Sequence, residues 1–467
     1  MGFSQARARV VEVVLLTRIK SVEELELEGR RVLIRVDLNC PVDDDGVPTD
    51  DSRILAALPT IQYARERGAK VLLCSHLGRP KGRPRKELSL VAIGERLSEL
   101  LKTEIFFPDD CIGDGPKKLA MNLREGQVIL LENVRFHKGE AKNDDTFARG
   151  LASLAQVYIN DAFGCAHRPH ASIALTPRFV PERGAGLLFL KEVRALQLLL
   201  PPEAGRTSEI KHPFVVAVGG GSTAARIGVA EAMLAHADHI LVGGVPAYTF
   251  LHGLDVEVGR SPVDEEKLAI ARRILLKADA RGVPVELPSD HVVVPEISAD
   301  APTKVVRTGH IPKDAFCADI GPETAERFAS VLRSAATVLW TGPMGAFEHA
   351  PFASGTMAVA SAVARASTST VIGRETAQAL RDAGVVPFIT HISTGGSAAL
   401  EFLEGRELPG IEALRLPRRG GDTLGTTAPP APERPARPPE RSSRPAERGD
   451  RGSDRGSRPR PSGGGRS

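Results

Sequence analysis

Short β-branched apolar runs recur along the chain, and longer amphipathic stretches separate them. Eight runs read as strands: 31–38 (RVLIRVDL), 70–75 (KVLLCS), 127–132 (QVILLE), 156–161 (QVYIND), 213–218 (PFVVAV), 239–243 (HILVG), 337–340 (TVLW) and 388–392 (FITHI). The segments between them carry helical periodicity. In 52–67, Ile54, Leu55, Leu58 and Ile61 fall at i, i+1, i+4 and i+7, which predicts one apolar helix face. Continuous apolar strands separated by helices predict βαβ units and a parallel sheet covered on both faces. About eight to twelve strands exceed what one such sheet with a single core holds, so two α/β domains are expected. The best break is 200–213 (LPPEAGRTSEIKHP), a Pro/Gly/polar stretch after the amphipathic segment 187–200. No internal repeat is visible.

Composition changes this picture mainly at the C-terminus. Residues 417–467 hold 10 Pro and 9 Gly and almost no large apolar side chains. They cannot bury enough surface to offset the entropy of ordering, so a disordered tail is expected. The tail carries 12 Arg against 6 acidic residues, a net +6. Of the chain's +3, the preceding 416 residues therefore hold −3, and the basic balance belongs to the tail. Arg mixed with Pro, Gly and Ser is compatible with loose RNA binding. Acidic residues offset half of that Arg charge, which favours a plain solvated extension. Aromatics are only 4% of the chain, which argues against a stacking platform for single-stranded nucleic acid. Five Cys with no C-x-x-C pair argue against zinc ribbons and disulfide scaffolds and suit a reducing compartment. The N-terminal VVEVVLL is short and broken by Glu12, and no run approaches the roughly 18 residues that span a bilayer. A soluble cytoplasmic protein is expected, without membrane partners.

Chemistry-bearing residues cluster just past the strands. Arg35-Val36-Asp37-Leu38-Asn39 follows the first run, and Ser75-His76-Leu77-Gly78-Arg79 the second. Glu132-Asn133-Val134-Arg135 follows the third, and Asn160-Asp161 with Ala166-His167-Arg168-Pro169-His170 the fourth. If the strands are parallel, Asp37, Asn39, His76, Arg79, Arg135, Arg168 and His170 share one rim, where open α/β sheets bind ligands. Arg53, at the start of the next helix, can reach the same rim. Four Arg and two His suit a small phosphorylated anion, because guanidinium forks bind phosphate bidentately. For any one of these arginines, surface salt bridging is an equal alternative. Their repetition at successive strand ends favours a site.

The second half is punctuated by glycine turns: Val218-Gly219-Gly220-Gly221-Ser222, Gly243-Gly244, Thr341-Gly342-Pro343-Met344-Gly345 and Thr394-Gly395-Gly396. Such turns let backbone N–H groups approach an anion at a helix N-terminus. No Gly-Lys-Ser/Thr follows, so none is a Walker A loop. A nucleotide site and simple tight turns both remain open on this pattern alone.

Taken in order, RVDLNCP, SHLGRPKG, LLENVRFH, NDAFGCAHRPHAS, TGPMGAFE and HISTGG closely resemble phosphoglycerate kinases over about residues 18–415. The resemblance implies two Rossmann-like three-layer αβα domains with parallel sheets, joined by a hinge and followed by the disordered tail. The boundaries it implies are 1–200 for a phosphoglycerate domain and 201–403 for a nucleotide domain. A segment 404–416 would return to the first domain, leaving 417–467 as tail. It implies transfer between 1,3-bisphosphoglycerate and Mg-ADP, giving 3-phosphoglycerate and ATP, in glycolysis, gluconeogenesis or carbon fixation, by a monomer that bends at its hinge. Asp37 and Asn39 match the family's groups for the substrate's hydroxyl and carboxylate end. His76, Arg79, Arg135 and Arg168 match its phosphate pocket, and Arg53 the arginine aimed at the transferring group. Gly220, Gly221, Arg226, Gly243, Gly244, Thr341, Pro343, Gly345, Glu348, Gly373, Glu375 and Thr376 match its nucleotide site. The resemblance also implies that Glu375 is the metal-facing carboxylate for Mg2+. Arg53, Arg226, Gly373 and Gly396 are the implied catalytic set.

The nucleotide half departs from the family pattern. Gly-Gly-Ala-Lys-Val-Ser-Asp-Lys is usual where this chain has Gly219 to Arg226, so Ser222 and Ala225 replace a lysine and an aspartate, and Arg226 the second lysine. Gly-Gly-Gly-Asp-Thr is usual where it has Ile372-Gly373-Arg374-Glu375-Thr376, and Thr341 replaces an Asn. Arg is not equivalent to a compact ammonium, and side chains at Ile372 and Arg374 restrict backbone that glycine leaves free. Arg374 reaching inward would replace the lost lysine. Two readings follow: a working kinase, and a catalytically impaired relative that binds phosphoglycerate as a sensor or interaction module.

Overall fold

The computed structural model describes residues 18–44, 46–201, 210–221 and 224–416. The apolar run before Arg18, Ser222, most of the 200–213 break and the tail lie outside the described residues. Among the described residues, six strands form a first sheet: β1 (Arg31–Arg35), β2 (Lys70–Cys74), β3 (Ile105–Phe106), β4 (Val128–Leu130), β5 (Val157–Asn160) and β6 (Glu182–Ala185). Their order is β3-β4-β2-β1-β5-β6 and every pair is parallel. Side chains alternate between two cores. Val32 and Ile34 face the helices Ser52–Glu66 and Val91–Leu101, whereas Leu33 faces Phe147, Phe163 and Phe189.

The second sheet uses β7 (Phe214–Val218), β8 (His239–Val242) and β9 (Val285–Glu286). Next come three strands of a separate sheet, β10 (Asp290–Val294), β11 (Lys304–Arg307) and β12 (Phe316–Ile320). The second sheet is completed by β13 (Thr337–Thr341), β14 (Thr368–Ile372) and β15 (His391–Ser393). It is parallel throughout, in the order β15-β14-β13-β7-β8-β9. Val215, Ala217 and Trp340 pack on one face, and Val216, Val218 and Ile240 on the other.

A strand overlaps each of the eight expected runs, with two corrections. The last strand sits at His391–Ser393, because Val386–Phe388 makes a single helical turn that leaves Phe388 exposed. The helix Ser52–Glu66 buries Ile54, Ala57, Ile61 and Ala64, while Leu55 is 50% exposed. Alanines, not the bulkier Leu55, complete that face. Both six-stranded sheets are parallel, as expected, and β10, β11 and β12 add a small antiparallel sheet, in the order β11-β10-β12.

The helix Leu187–Gln197 lies between the two sheets in sequence and buries Phe189, Leu190, Val193 and Leu196 in an apolar cluster shared by both. Phe163, just past β5, packs edge-on against Phe189 and Phe402 at 5.5 and 6.1 Å. The chain after Leu403 turns back to the first sheet. Gly410 N–H donates to the Ala166 carbonyl at 2.8 Å, and Leu416 N–H to the Arg18 carbonyl at 2.9 Å.

Candidate functional site: two hollows at strand carboxyl ends

In the first sheet the strand order reverses between β1 and β5, and the loops after β1, β2, β4 and β5 meet at one edge. They line a hollow of about 190 Å³ that includes Asp37, Asn39, Arg53, His76, Arg79, Arg135, Cys165 and Arg168. Every residue expected at the acid-phosphate site is therefore brought together. His170 stands just behind, with Nδ1 3.7 Å from Glu140. Burial, then Arg135 and Arg168, push its imidazole down to about 4.

The hollow is preorganised. Asn39 Oδ1 accepts from Gly78 N–H at 2.8 Å, which leaves its amide as a donor to the cavity. Arg135 donates to the Gly78 carbonyl at 2.8 Å. Gly78 can serve both because its φ of +58° is open to glycine. Arg53 pairs directly with Asp37. Burial alone would push the Asp37 carboxyl up, but Arg53, with Arg35 beyond it, outweighs burial and holds Asp37 far below the usual carboxylate range. Burial, with Arg35 and Arg168 nearby, pushes Arg135 down to about 10. Four arginines lining one hollow with a single carboxylate make a strong anion site.

In the second sheet the order reverses between β7 and β13. Here a cavity of about 690 Å³ is lined by Gly220, Gly221, Arg226, Gly244, Pro343, Gly345, Glu348 and Glu375 of the expected residues. The antiparallel sheet supplies a wall through Phe316, Cys317 and Ala318, with Tyr248 and Met344 beside it. Gly243, Thr341, Gly373, Thr376 and Gly396 do not line it. Thr376 is buried, and its hydroxyl accepts from Gly342 N–H at 2.8 Å and donates to the Ile372 carbonyl at 3.1 Å, so it braces the turn behind the wall. Arg374 does not reach inward. Its side chain is 74% exposed, 3.8 Å from Glu375. Arg226 does, and its Nε is buried without an acceptor among the described residues.

The expectation that these glycines present free N–H groups is corrected at four positions. Gly219, Gly220, Gly243 and Gly244 donate to the carbonyls of Thr341, Pro343, Val218 and Met344. Their role is close backbone approach instead. A Cβ on Gly219 would stand 2.3 Å from the Pro343 carbonyl oxygen.

A family model described as phosphoglycerate kinase matches residues 22–406. The chain belongs to the phosphoglycerate kinase family. It is similar to the phosphoglycerate kinase of Anaeromyxobacter dehalogenans, with 50% identity over 398 residues, covering 85% of this chain and 99% of that one. The phosphoglycerate kinase of Koribacter versatilis is 46% identical over 403 residues, 84% of this chain and 98% of the relative. The solved phosphoglycerate kinase of Coxiella burnetii superimposes with a TM-score of 0.74 at 37% identity, covering 85% of this chain and 98% of that structure. That of Pyrococcus horikoshii gives 0.72 at 29% identity, covering 84% and 98%.

Within this phosphoglycerate kinase fold, one buried group joins the two halves and was not expected from the sequence. Glu192 accepts from His391 Nε2 (3.1 Å), Ser393 Oγ (2.7 Å), Thr394 N (2.6 Å) and Thr394 Oγ1 (2.8 Å). Burial would raise its carboxyl, but these donors outweigh burial and hold it below its ordinary value. A glutamate on a helix facing residues about 200 positions away carries no local sequence signal. Arg35, fully buried beneath the first hollow, was likewise missed as a site residue, although it stands inside RVDLNCP.

Proposed function

We propose that this chain carries out the family's reaction with the residues gathered in the two hollows: reversible transfer of the acyl phosphate of 1,3-bisphosphoglycerate to ADP, giving 3-phosphoglycerate and ATP. The observation that carries the assignment is the convergence of Arg53, Arg79, Arg135 and Arg168 with His76 and Asn39 on one hollow. A phosphorylated three-carbon acid needs such multiple forked donors. Arg79, Arg135 and Arg168 bind its phosphate, and Asp37, kept ionised, accepts its hydroxyl. Arg53 leaves Asp37 to stabilise charge on the moving phosphoryl group, where positioning and charge stabilisation supply most of the catalysis.

The nucleotide occupies the larger cavity. Glu348 accepts from the ribose, and Arg226 Nε, which has no acceptor among the described residues, turns to a phosphate oxygen. Glu375 lines the phosphate end with a hard oxygen donor that is 49% exposed, which fits Mg2+ bound largely by water and phosphate. The metal, when bound, neutralises phosphate charge. Closure of the lobes about the Glu192 junction excludes water. The setting is the cytoplasm, and the five unpaired cysteines support that reading. Among the described residues no helix is long and apolar enough to cross a membrane. The protein acts as a monomer on small molecules, with no nucleic-acid partner. The domain limits in this reading are 1–200 and 201–403, with 404–416 returning to the first domain. A coupled assay with saturating 1,3-bisphosphoglycerate and Mg-ADP tests the reaction. Turnover no faster than that of Arg53→Ala refutes it.

A further inference from the structure

Arg35 ends β1 and is 1% exposed. Its Nε donates to Ser172 Oγ at 3.0 Å and its Nη1 to the Val36 carbonyl. Its Nη2 lies 3.1 Å from His76 Nδ1. A guanidinium has donors only, so Nδ1 must accept. A neutral ring then carries its proton on Nε2. The arginine cannot easily swing away. Ser172 Oγ donates onward to Glu140 Oε1 at 2.7 Å, and Glu140 Oε2 accepts from Ser172 N–H at 2.8 Å. Glu140 and Ser172 are both buried. The chain Glu140–Ser172–Arg35–His76 thus runs under the floor of the hollow.

Charged groups facing His76 decide its protonation. Burial disfavours imidazolium most, Asp37 favours it, and Arg35, Arg135 and Arg53 oppose it, leaving the ring well below its ordinary value and neutral at physiological pH. Neutral imidazole has two tautomers. One offers an anion a donor at Nε2, and the other offers a repelling lone pair.

We propose that Arg35 is a positioning residue that acts through His76: its guanidinium pins the ring in the Nε2–H tautomer, so that His76 offers the bound phosphoglycerate a neutral hydrogen-bond donor. This rests on the phosphoglycerate assignment of the hollow. Arg35 differs in kind from the arginines above it, because each of its three nitrogens already donates to a protein acceptor. It contributes by fixing which atom of its neighbour carries the proton.

The direct test needs no Arg35 variant. In ligand-free protein with 15N-labelled histidine, His76 resonances are identified by their loss in His76→Gln. A pyridine-type Nδ1 and a pyrrole-type Nε2, unchanged between pH about 6 and 8, are expected. A pyrrole-type Nδ1, or a doubly protonated ring in that range, overturns the proposal. The second arm measures 3-phosphoglycerate affinity by calorimetry. Arg35→Gln should weaken binding about tenfold in the parent and by less than about twofold in a His76→Ala background, because contacting residues couple. Equal losses in both backgrounds overturn action through His76, whether or not the tautomer is as expected. If Arg35→Gln does not fold, the spectrum of the parent protein still decides. Failure of the underlying site assignment looks different: 3-phosphoglycerate affinity would then be unmoved by Arg79→Ala and Arg168→Ala, while the tautomer stayed as stated.

Discussion

Glu192→Gln is a sharp test of the junction between the two sheets. The carboxylate takes two donors on each oxygen: His391 Nε2 and Ser393 Oγ on one, Thr394 N and Oγ1 on the other. Gln keeps the volume but turns one oxygen into NH2, so two buried donors would face a donor. Losing two charge-assisted hydrogen bonds and leaving their donors unpaired costs roughly 3 kcal/mol, after some relaxation. Glu192 is fully buried, so solvent screening removes little of this. Urea unfolding of parent and variant at pH 7 reads the difference. Because the folded carboxyl titrates below its ordinary value, the stabilisation is full above that ordinary value and fades as pH falls through the folded one. The gap between parent and variant should therefore narrow in acid. Because the same bonds orient one lobe on the other, kcat should fall while KM for phosphoglycerate stays within about twofold. A stability loss below about 0.5 kcal/mol, or a gap that widens in acid, would refute the reasoning.

Arg79→Ala and Arg168→Ala should each raise KM for 3-phosphoglycerate by about tenfold or more while ADP affinity, measured by calorimetry, is unchanged. Gly219→Ala should weaken ADP binding and spare 3-phosphoglycerate binding, since its Cβ meets carbonyl oxygens of Pro343 and Gly342 at 2.3 and 2.8 Å and the turn must shift. Arg226→Ala should lower kcat about 10²-fold in the coupled assay. Burial pushes Asp161 up to about 7; the folded state thus binds a proton that the unfolded state has released, and stability falls as pH rises from about 4. Asp161→Asn should flatten that slope in thermal melts read between pH about 4 and 7, the window of the shift. Ending the chain after Leu416 should leave kcat and both KM values unchanged, because the family match closes at residue 406.

Read alone, the sequence determined which segments become the principal strands and which side chains stand just past them. Alternating burial on both faces makes strands such as RVLIR continuous apolar runs, and chain direction then puts Asp37, His76, Arg135 and Arg168 at one edge. It did not reveal β14, where Ser369 and Thr370 are buried yet polar. The Ser369 and Thr390 hydroxyls each accept the other's backbone N–H at 3.1 Å, a pairing visible only once β14 and β15 are adjacent. Nor did it reveal the antiparallel sheet, whose edge strand β11 buries only Val306 and so lacks a strong apolar signal. Tertiary structure alone decided that the glycine turns spend four N–H groups on each other and that Arg226, not Arg374, faces the cavity. It also decided that Glu192 bridges to His391. Hydrophobic period is a local property written residue by residue. Hydrogen-bond partners depend on which distant strands become neighbours, and that is settled by packing.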